Sequence, residues 1–545
     1  MFLFAIKLLV YYEKKMFDVI IIGAGFSGLY QLYSLKKNLN LNCHLFEKAP
    51  ELGGTWYWNK YPGARCDTES KAYCYFFDKK IYKKWDWSER YPSQPEIQKY
   101  LKFVAKEFKL FEDISFSSDV SKMRFNDDTN TWIISLSNGK IYNSKFVVAA
   151  TGCLSKPNQP TIKNLNNFKG HVFHTALWPS YKVNFKSQNV VVFGTGSSGI
   201  QIIPEIAKEC KSLTVLQRTA NFSIPAKNYR LDKYQNTKFK NNFDQIKSIS
   251  LNNRHGHPWE HSKTPIDESN LNVFLSGLER AWENGGLSFR DTFSNINYNN
   301  FANKITSDFI INKIKRIVKD PQKGKILTNF NYPFGAKRPA LDTNYFDTFN
   351  KENVDLIDLK SNPIEKCYNS GLIINKRNIP ADIIIFATGF DAITGSLLDI
   401  DIQGKNSKNL SSEWRIQPNN YLGLQIPNFP NLFTITGPGS PSVLTNMPRA
   451  IEQHVEWITK CISYLLREKK NKIEACPKYS KNWLKKVHDA AKKTMFLKTE
   501  NSWYLGSNIE GKPVGFIPYS GGLDKYSKIC KEVETNKYEG FLIDN

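Results

Sequence analysis

The sequence predicts an α/β protein with two Rossmann-like dinucleotide-binding domains and a helical insertion in the second. Three observations predict it. Two glycine-rich loops share one internal spacing, Gly23-Ala-Gly25-Phe-Ser-Gly28 and Gly194-Thr-Gly196-Ser-Ser-Gly199. Each follows an apolar strand-like run, Phe17 to Ile22 and Asn189 to Phe193, and each opens a helix-like stretch. A second strand then ends in a charged residue at the same offset, Glu47 in the first copy and Arg218 in the second.

Each part of this unit has a physical task. The first glycine allows a tight turn, the second lets backbone approach a pyrophosphate, and the third lets helix pack on strand. The pyrophosphate then rests on unpaired N–H groups at the positive end of the helix. A lone GxGxxG is a weak signal, but strand, loop, helix and second strand are present in both copies. Glu47 is a carboxylate that accepts hydrogen bonds from a ribose diol, which suits FAD or NAD. Arg218 offers a guanidinium for a 2′-phosphate, which points to NADP. Only 14 of the 75 basic residues are arginine, so an arginine at that position carries weight.

The elements group into domains. Residues 1–15 form an N-terminal extension whose apolar run at 2–12 is too short to span a bilayer and contains Lys7. No small-residue cleavage site follows, and Met16, directly before the first strand, is a candidate start. Residues 16–160 and 388–545 are expected to form a discontinuous FAD domain. It includes a strand pair, Val120 to Phe125 and Thr131 to Leu136, and the strand Lys145 to Ala150. Residues 161–224 and 333–387 form the NADP domain, with strands Val354 to Leu359 and Ile383 to Ala387. Thr388-Gly389 echoes Thr151-Gly152, and each marks a place where the chain crosses between domains. Residues 225–332 read as the helical insertion, with amphipathic stretches Val273 to Trp282 and Phe309 to Val318.

Composition narrows the function. The net charge is +24, but the lysines are scattered, and the densest basic stretch, Leu466 to Lys498, also holds Glu468, Glu474 and Asp489. Neither nucleic acid nor firm membrane association is expected. Nine cysteines, an odd number, form no CxxC pair, and eight histidines show no HExxH spacing. A cytoplasmic protein without a metal is the expectation, a monomer or a weak homo-oligomer.

Between the two units lies Phe168-Lys-Gly170-His-Val-Phe-His174-Thr-Ala-Leu-Trp178-Pro179. Here the chain resembles the type I Baeyer–Villiger monooxygenases of the flavin-containing monooxygenase superfamily, whose fingerprint is FxGxxxHxxxWP. The segment from Gly53 to Asp67 resembles a second family fingerprint, as do Gly335-Ala-Lys337-Arg338, Ala387-Thr-Gly389-Phe-Asp391 and Ser502-Trp503-Tyr-Leu-Gly506. The run Gly437 to Met447 is similar to that of the phenylacetone monooxygenase-like branch. The resemblance spans Met16 nearly to the end. Relatives that oxidise N or S heteroatoms share both loops but usually lack the Trp-Pro ending. They stand as the alternative function.

The resemblance implies an FAD- and NADPH-dependent enzyme that uses O₂ to convert ketones to esters or lactones. It implies that Arg338 holds a flavin C4a-peroxide in its anionic form and that Asp67 fixes the guanidinium. On the FAD side it implies Gly23, Gly25, Ser27, Gly28, Glu47, Thr55, Trp56, Trp58, Asp67, Tyr73, Val120 and Met447. On the NADP side it implies Arg65, Gly194, Thr195, Gly196, Ser197, Ser198, Gly199, Arg218, Thr219, Lys337 and Arg338. Trp503 matches a mobile-loop tryptophan that closes over nicotinamide and substrate, while Val443 and Thr445 fall in the segment expected to line the substrate pocket. Ser507 and Glu510 stand where many relatives carry Ala and Pro, which leaves that loop's mobility open. His174 is read as an interdomain histidine in preference to an acid–base group.

Overall fold

The computed structural model describes residues 16–269 and 271–544; the expected extension, 1–15, lies outside them. Strand β1 (Met16–Ile22) is buried along most of its length, as a strand covered on both faces must be. It leads through the first loop into helix α1 (Phe26–Leu39) and then strand β2 (Cys43–Phe46). β1 and β2 are parallel and end flush, with Ile22 opposite Phe46. The Gly23 N–H donates to the Phe46 carbonyl at 2.8 Å. That flush ending is why a charged residue at a fixed offset reaches the glycine loop. Strand β3 (Ile114–Ser115) extends the sheet, and β4 (Val120–Asn126), β5 (Thr131–Leu136) and β6 (Ile141–Ala149) form an antiparallel meander. β6 begins earlier than its apolar run suggests and pairs parallel with β1.

The second unit repeats the plan. Strand β7 (His171–His174) precedes β8 (Asn189–Phe193), helix α2 (Ser197–Ile206) and β9 (Ser212–Gln217). Five helices follow: α3 (Lys233–Asn241), α4 (Phe243–Asn252), α5 (Leu271–Asn284), α6 (Asn300–Ile317) and α7 (Pro321–Leu327). The chain returns with β10 (Val354–Asp358) and β11 (Ile383–Phe386), giving a five-stranded parallel sheet in the order β10-β9-β8-β11-β7. The segment read as a linker therefore supplies an edge strand, its four residues too few to show a period.

Strands β12 (Asp401–Gln403) and β13 (Leu432–Thr434) then rejoin the first sheet, whose order is β12-β4-β5-β6-β1-β2-β3 with β13 also on β6. Helix α8 (Met447–Arg467) packs on α1. Its Thr459 hydroxyl meets Gln31 Nε2 at 3.1 Å and Ser34 Oγ at 2.9 Å, and its Glu456 accepts from the Tyr30 hydroxyl at 3.4 Å. Among the described residues no helix is long and apolar enough to cross a membrane.

The two glycine loops are built alike. Gly23 and Gly194 have φ of +104° and +99°, where side chains are strained. A Cβ on Gly28 would lie 1.8 Å from the Gly23 carbonyl oxygen, and one on Gly199 would lie 2.1 Å from that of Gly194. Each contact is backbone and has no flexible atom to yield. Gly28→Ala and Gly199→Ala are each expected to destabilise the protein by about 1–3 kcal/mol through overpacking. Thermal melts of the two variants check this, and wild-type midpoints would mean that helix and strand can separate.

Candidate active site

Both loops open on one cleft of about 1310 Å³. That exceeds the roughly 300–1,000 Å³ of a pocket for one drug-sized ligand. Every site residue implied by the sequence lines it except Gly28 and Gly199, which sit behind the loops at the helix–strand contacts just described. α1 and α2 begin at Gly25 and Gly196 with no side-chain cap and no acidic residue in the first turn. Their first N–H groups are left for an anion.

At the first loop, the Glu47 carboxylate accepts from the backbone N–H of Ala24 at 2.6 Å and of Ala49 at 2.8 Å. Burial raises its pKa and these two bonds oppose the rise. Each oxygen keeps a lone pair for a ribose hydroxyl, so the residues fit an FAD adenosine. Trp56 and Tyr73 stand edge to face at 5.7 Å, and the Trp56 Nε1–H donates to the Tyr73 hydroxyl at 3.0 Å. Thr55, Trp58, Val120 and Met447 add to the same wall. Arg65 faces the cleft, yet its guanidinium bonds Glu89 at 2.6 Å and the Tyr91 carbonyl at 3.2 Å.

At the second loop, the Thr195 hydroxyl donates to the Thr219 carbonyl at 3.0 Å, bracing the turn beside Ser197 and Ser198. Arg218 and Lys337 face the cleft together, and neither has an ion-pair partner among the described residues. Lys337 Nζ lies 4.5 Å above the Tyr332 ring. Burial, then Arg218 and Lys360, push its pKa down to about 8. Two cations held together without a carboxylate fit a 2′-phosphate.

Arg338 lies where the two units meet. Its Nε and Nη2 bond the two Asp67 oxygens at 2.5 and 2.9 Å, and Nη1 donates to the Val443 carbonyl at 3.2 Å. Burial works against the charge, but Asp67 outweighs it and holds the pKa above its ordinary value. Arg338 is therefore a permanent cation, braced on three sides. Val443 and Thr445 line the cleft beside it.

His174 is neutral and structural. Its Nδ1 accepts from the Ala176 N–H at 3.0 Å, so the proton sits on Nε2, 3.3 Å from the Asn158 carbonyl and from the Thr388 hydroxyl. Burial lowers its pKa. The Trp503 loop is closed by Ser507, whose hydroxyl accepts from the Ser502 N–H at 3.0 Å. Alanine at 507 would lack that bond. Lys512 pairs with Asp391 and donates to the Ala392 carbonyl at 3.0 Å, which anchors the loop to the crossing turn.

Gln201 escaped the sequence reading. It is reciprocally bonded to the Arg65 backbone, at 3.3 and 3.0 Å, and accepts from the Tyr61 hydroxyl at 2.8 Å, joining the two units across the cleft. Its only sequence signal is its place in the helix after the second loop.

Residues 20–266 match the family model described as pyridine nucleotide-disulphide oxidoreductase. Over 536 residues the chain is 38% identical to the cyclohexanone 1,2-monooxygenase of Acinetobacter sp., covering 97% of both chains. Over 538 residues it is 37% identical to a phenazine N-monooxygenase of Lysobacter antibioticus, covering 97% of this chain and 98% of that one. A solved structure of an oxidised steroid monooxygenase bound to NADP is similar with a TM-score of 0.92 at 38% identity, covering 97% of this chain and 100% of that one.

The Lys337 shift predicts a pH dependence. Below pH 8 the ammonium is present and attracts a 2′-phosphate; as pH rises through 8 it is lost. NADPH affinity is expected to be full below that point and to fall by up to about tenfold per unit above it. NADH affinity should stay flat, and Lys337→Met should flatten the NADPH curve. Titrations from pH 6.5 to 9.5 read this out; parallel profiles for the two nucleotides would remove Lys337 from 2′-phosphate binding.

Proposed function

The chain belongs to the type I Baeyer–Villiger monooxygenases, NADPH-dependent flavoprotein oxygenases, and from that premise we propose that it converts ketones to esters or lactones with Arg338 as its charge-stabilising residue. Bound FAD, once reduced by NADPH, supplies the activation of O₂ from which one oxygen atom is inserted beside the carbonyl. The first loop and Glu47 hold the FAD, and the second loop with Arg218, Thr219 and Lys337 holds the NADPH. Ketone oxygen insertion develops negative charge on oxygen, first on the attacking atom and then on the former carbonyl. Arg338 offers that charge a fixed guanidinium which cannot readily give up its proton. Asp67 and the Val443 carbonyl fix its plane, so little reorganisation is needed as charge develops. Trp503, on a loop braced by Ser507 and Lys512, restricts water at the mouth.

The observation that carries this reading is the largely buried, doubly anchored Arg338 in the cleft onto which both nucleotide loops open. Arg338→Ala is expected to keep anaerobic flavin reduction by NADPH and to lose ester formation by about 10²–10³-fold. An unchanged ester yield would take Arg338 out of the chemistry. Arg218→Ala should weaken NADPH binding by about 1.5–3 kcal/mol while leaving NADH use little changed. Equal losses for both nucleotides would refute its phosphate role.

The phenazine N-monooxygenase among the relatives keeps a second reading open, oxidation of nitrogen in a heteroaromatic ring. Linear, cyclic and aryl ketones should be run beside phenazines and sulfides with FAD, NADPH and air. Ester or lactone as the dominant product supports the first reading. N-oxide or sulfoxide formed while every ketone is recovered would support the second.

A further inference from the structure

The helical insertion carries a histidine-rich segment, Arg254 to His261, that the oxygenation chemistry does not use. We propose that His255, His261 and Asp291 form a binding site for a divalent transition-metal ion, zinc suiting them best, which holds together the part of the insertion that contacts the turn carrying Val443. One ligand atom from each residue lies within 4.8 Å of the others. His261 Nδ1 is 3.2 Å from Asp291 Oδ1, and His255 Nε2 is 4.0 Å from the same oxygen. A tetrahedral zinc with bonds of about 2.0–2.1 Å has ligand–ligand edges of roughly 3.3–3.4 Å, so small side-chain movements close the set.

The surroundings orient His255 and Asp291 as a metal requires. His255 Nδ1 lies 3.1 Å from the Leu444 carbonyl, which places its proton there and leaves the Nε2 lone pair facing the carboxylate. The Trp259 Nε1–H donates to Asp291 Oδ2 at 2.9 Å, and Arg290 Nε lies 3.7 Å from that same oxygen. Both act on Oδ2, and Oδ1 faces the two imidazoles, where an ion would replace its contact with His261 Nδ1. Arg290 weakens the site by repulsion, which the Asp291 carboxylate beside it offsets. Two imidazoles and one carboxylate suit zinc, with a fourth position open to water. The His261 side chain is 30% exposed against 6% for Asp291, so an ion has a way in.

The site touches the active-site turn twice. Besides the Leu444 contact, the His255 carbonyl accepts from the Asn446 N–H at 2.8 Å. Leu444 follows Val443, whose carbonyl holds Arg338. An ion at His255 would therefore steady a residue already bonded to the turn against which the guanidinium rests. The sequence reading expected no metal, because these ligands lie apart along the chain and match no spacing rule.

The test uses the full-length FAD-loaded protein, freed of metal with a chelator and titrated with Zn²⁺ by calorimetry, with Co²⁺ as an optical probe. One equivalent per chain, a raised thermal midpoint and a tetrahedral Co²⁺ absorption are expected. His261→Ala should weaken zinc binding by more than the roughly 10–100-fold typical of losing an outer-shell partner. His171→Ala, at an exposed histidine on β7, should leave binding intact. No saturable binding to the wild type, or unchanged binding in His261→Ala, would overturn the proposal. His255→Gln is the second variant. If it folds, with normal FAD content, and still binds zinc as tightly, the site fails as drawn.

Discussion

A largely buried guanidinium is tolerated only where its charge is met, and Arg338 is met from two remote parts of the chain. It follows the insertion, while Asp67 comes from the segment after the first loop and Val443 from the turn before α8. Losing either partner would leave a desolvated cation or carboxylate, so the three segments must assemble together. The nucleotide loops, the insertion and the C-terminal return are thereby placed with respect to one another. The reacting position is defined by the same contact that joins them.

Around that contact the electrostatics are graded. The first loop ends in a carboxylate braced by two backbone N–H groups, suited to neutral hydroxyls. Beside the second stand Arg218 and Lys337, cations with no ion-pair partner among the described residues, suited to a phosphate. Arg338 lines the same cleft, already neutralised in part by Asp67. A cation without a partner attracts any anion, whereas a paired one is held for charge that appears only during reaction. The chain places each kind where its chemistry is required.

Much of this was legible in the sequence, and the limit is physical. The loops were readable because the glycines answer to local sterics and the Glu47 and Arg218 offsets to flush strand ends, which short windows of chain encode. Arg338 and Asp67 were readable only through family resemblance, since nothing local distinguishes that arginine from a surface one. Gln201, the Lys512–Asp391 pair and the His255–Asp291 cluster were not readable, because each joins segments whose approach is decided by the whole fold. β7 escaped for a different reason: four residues beside β11 draw their strand character from the neighbour, not from themselves.

The two crossings between the sheets run side by side. Asn158 N–H meets the Gly389 carbonyl at 2.9 Å and Asp391 N–H meets the Lys156 carbonyl at 2.9 Å, while the His174 ring spans Asn158 and Thr388. Two straps laced edge to edge behave as a door hinge rather than a ball joint. Swinging about their common line would break the Gln201 bonds to Arg65 and Tyr61 but spare the lacing, whereas twisting would tear the lacing as well. The lacing thus resists twist more than swing, and it guides any parting of the halves toward one arc.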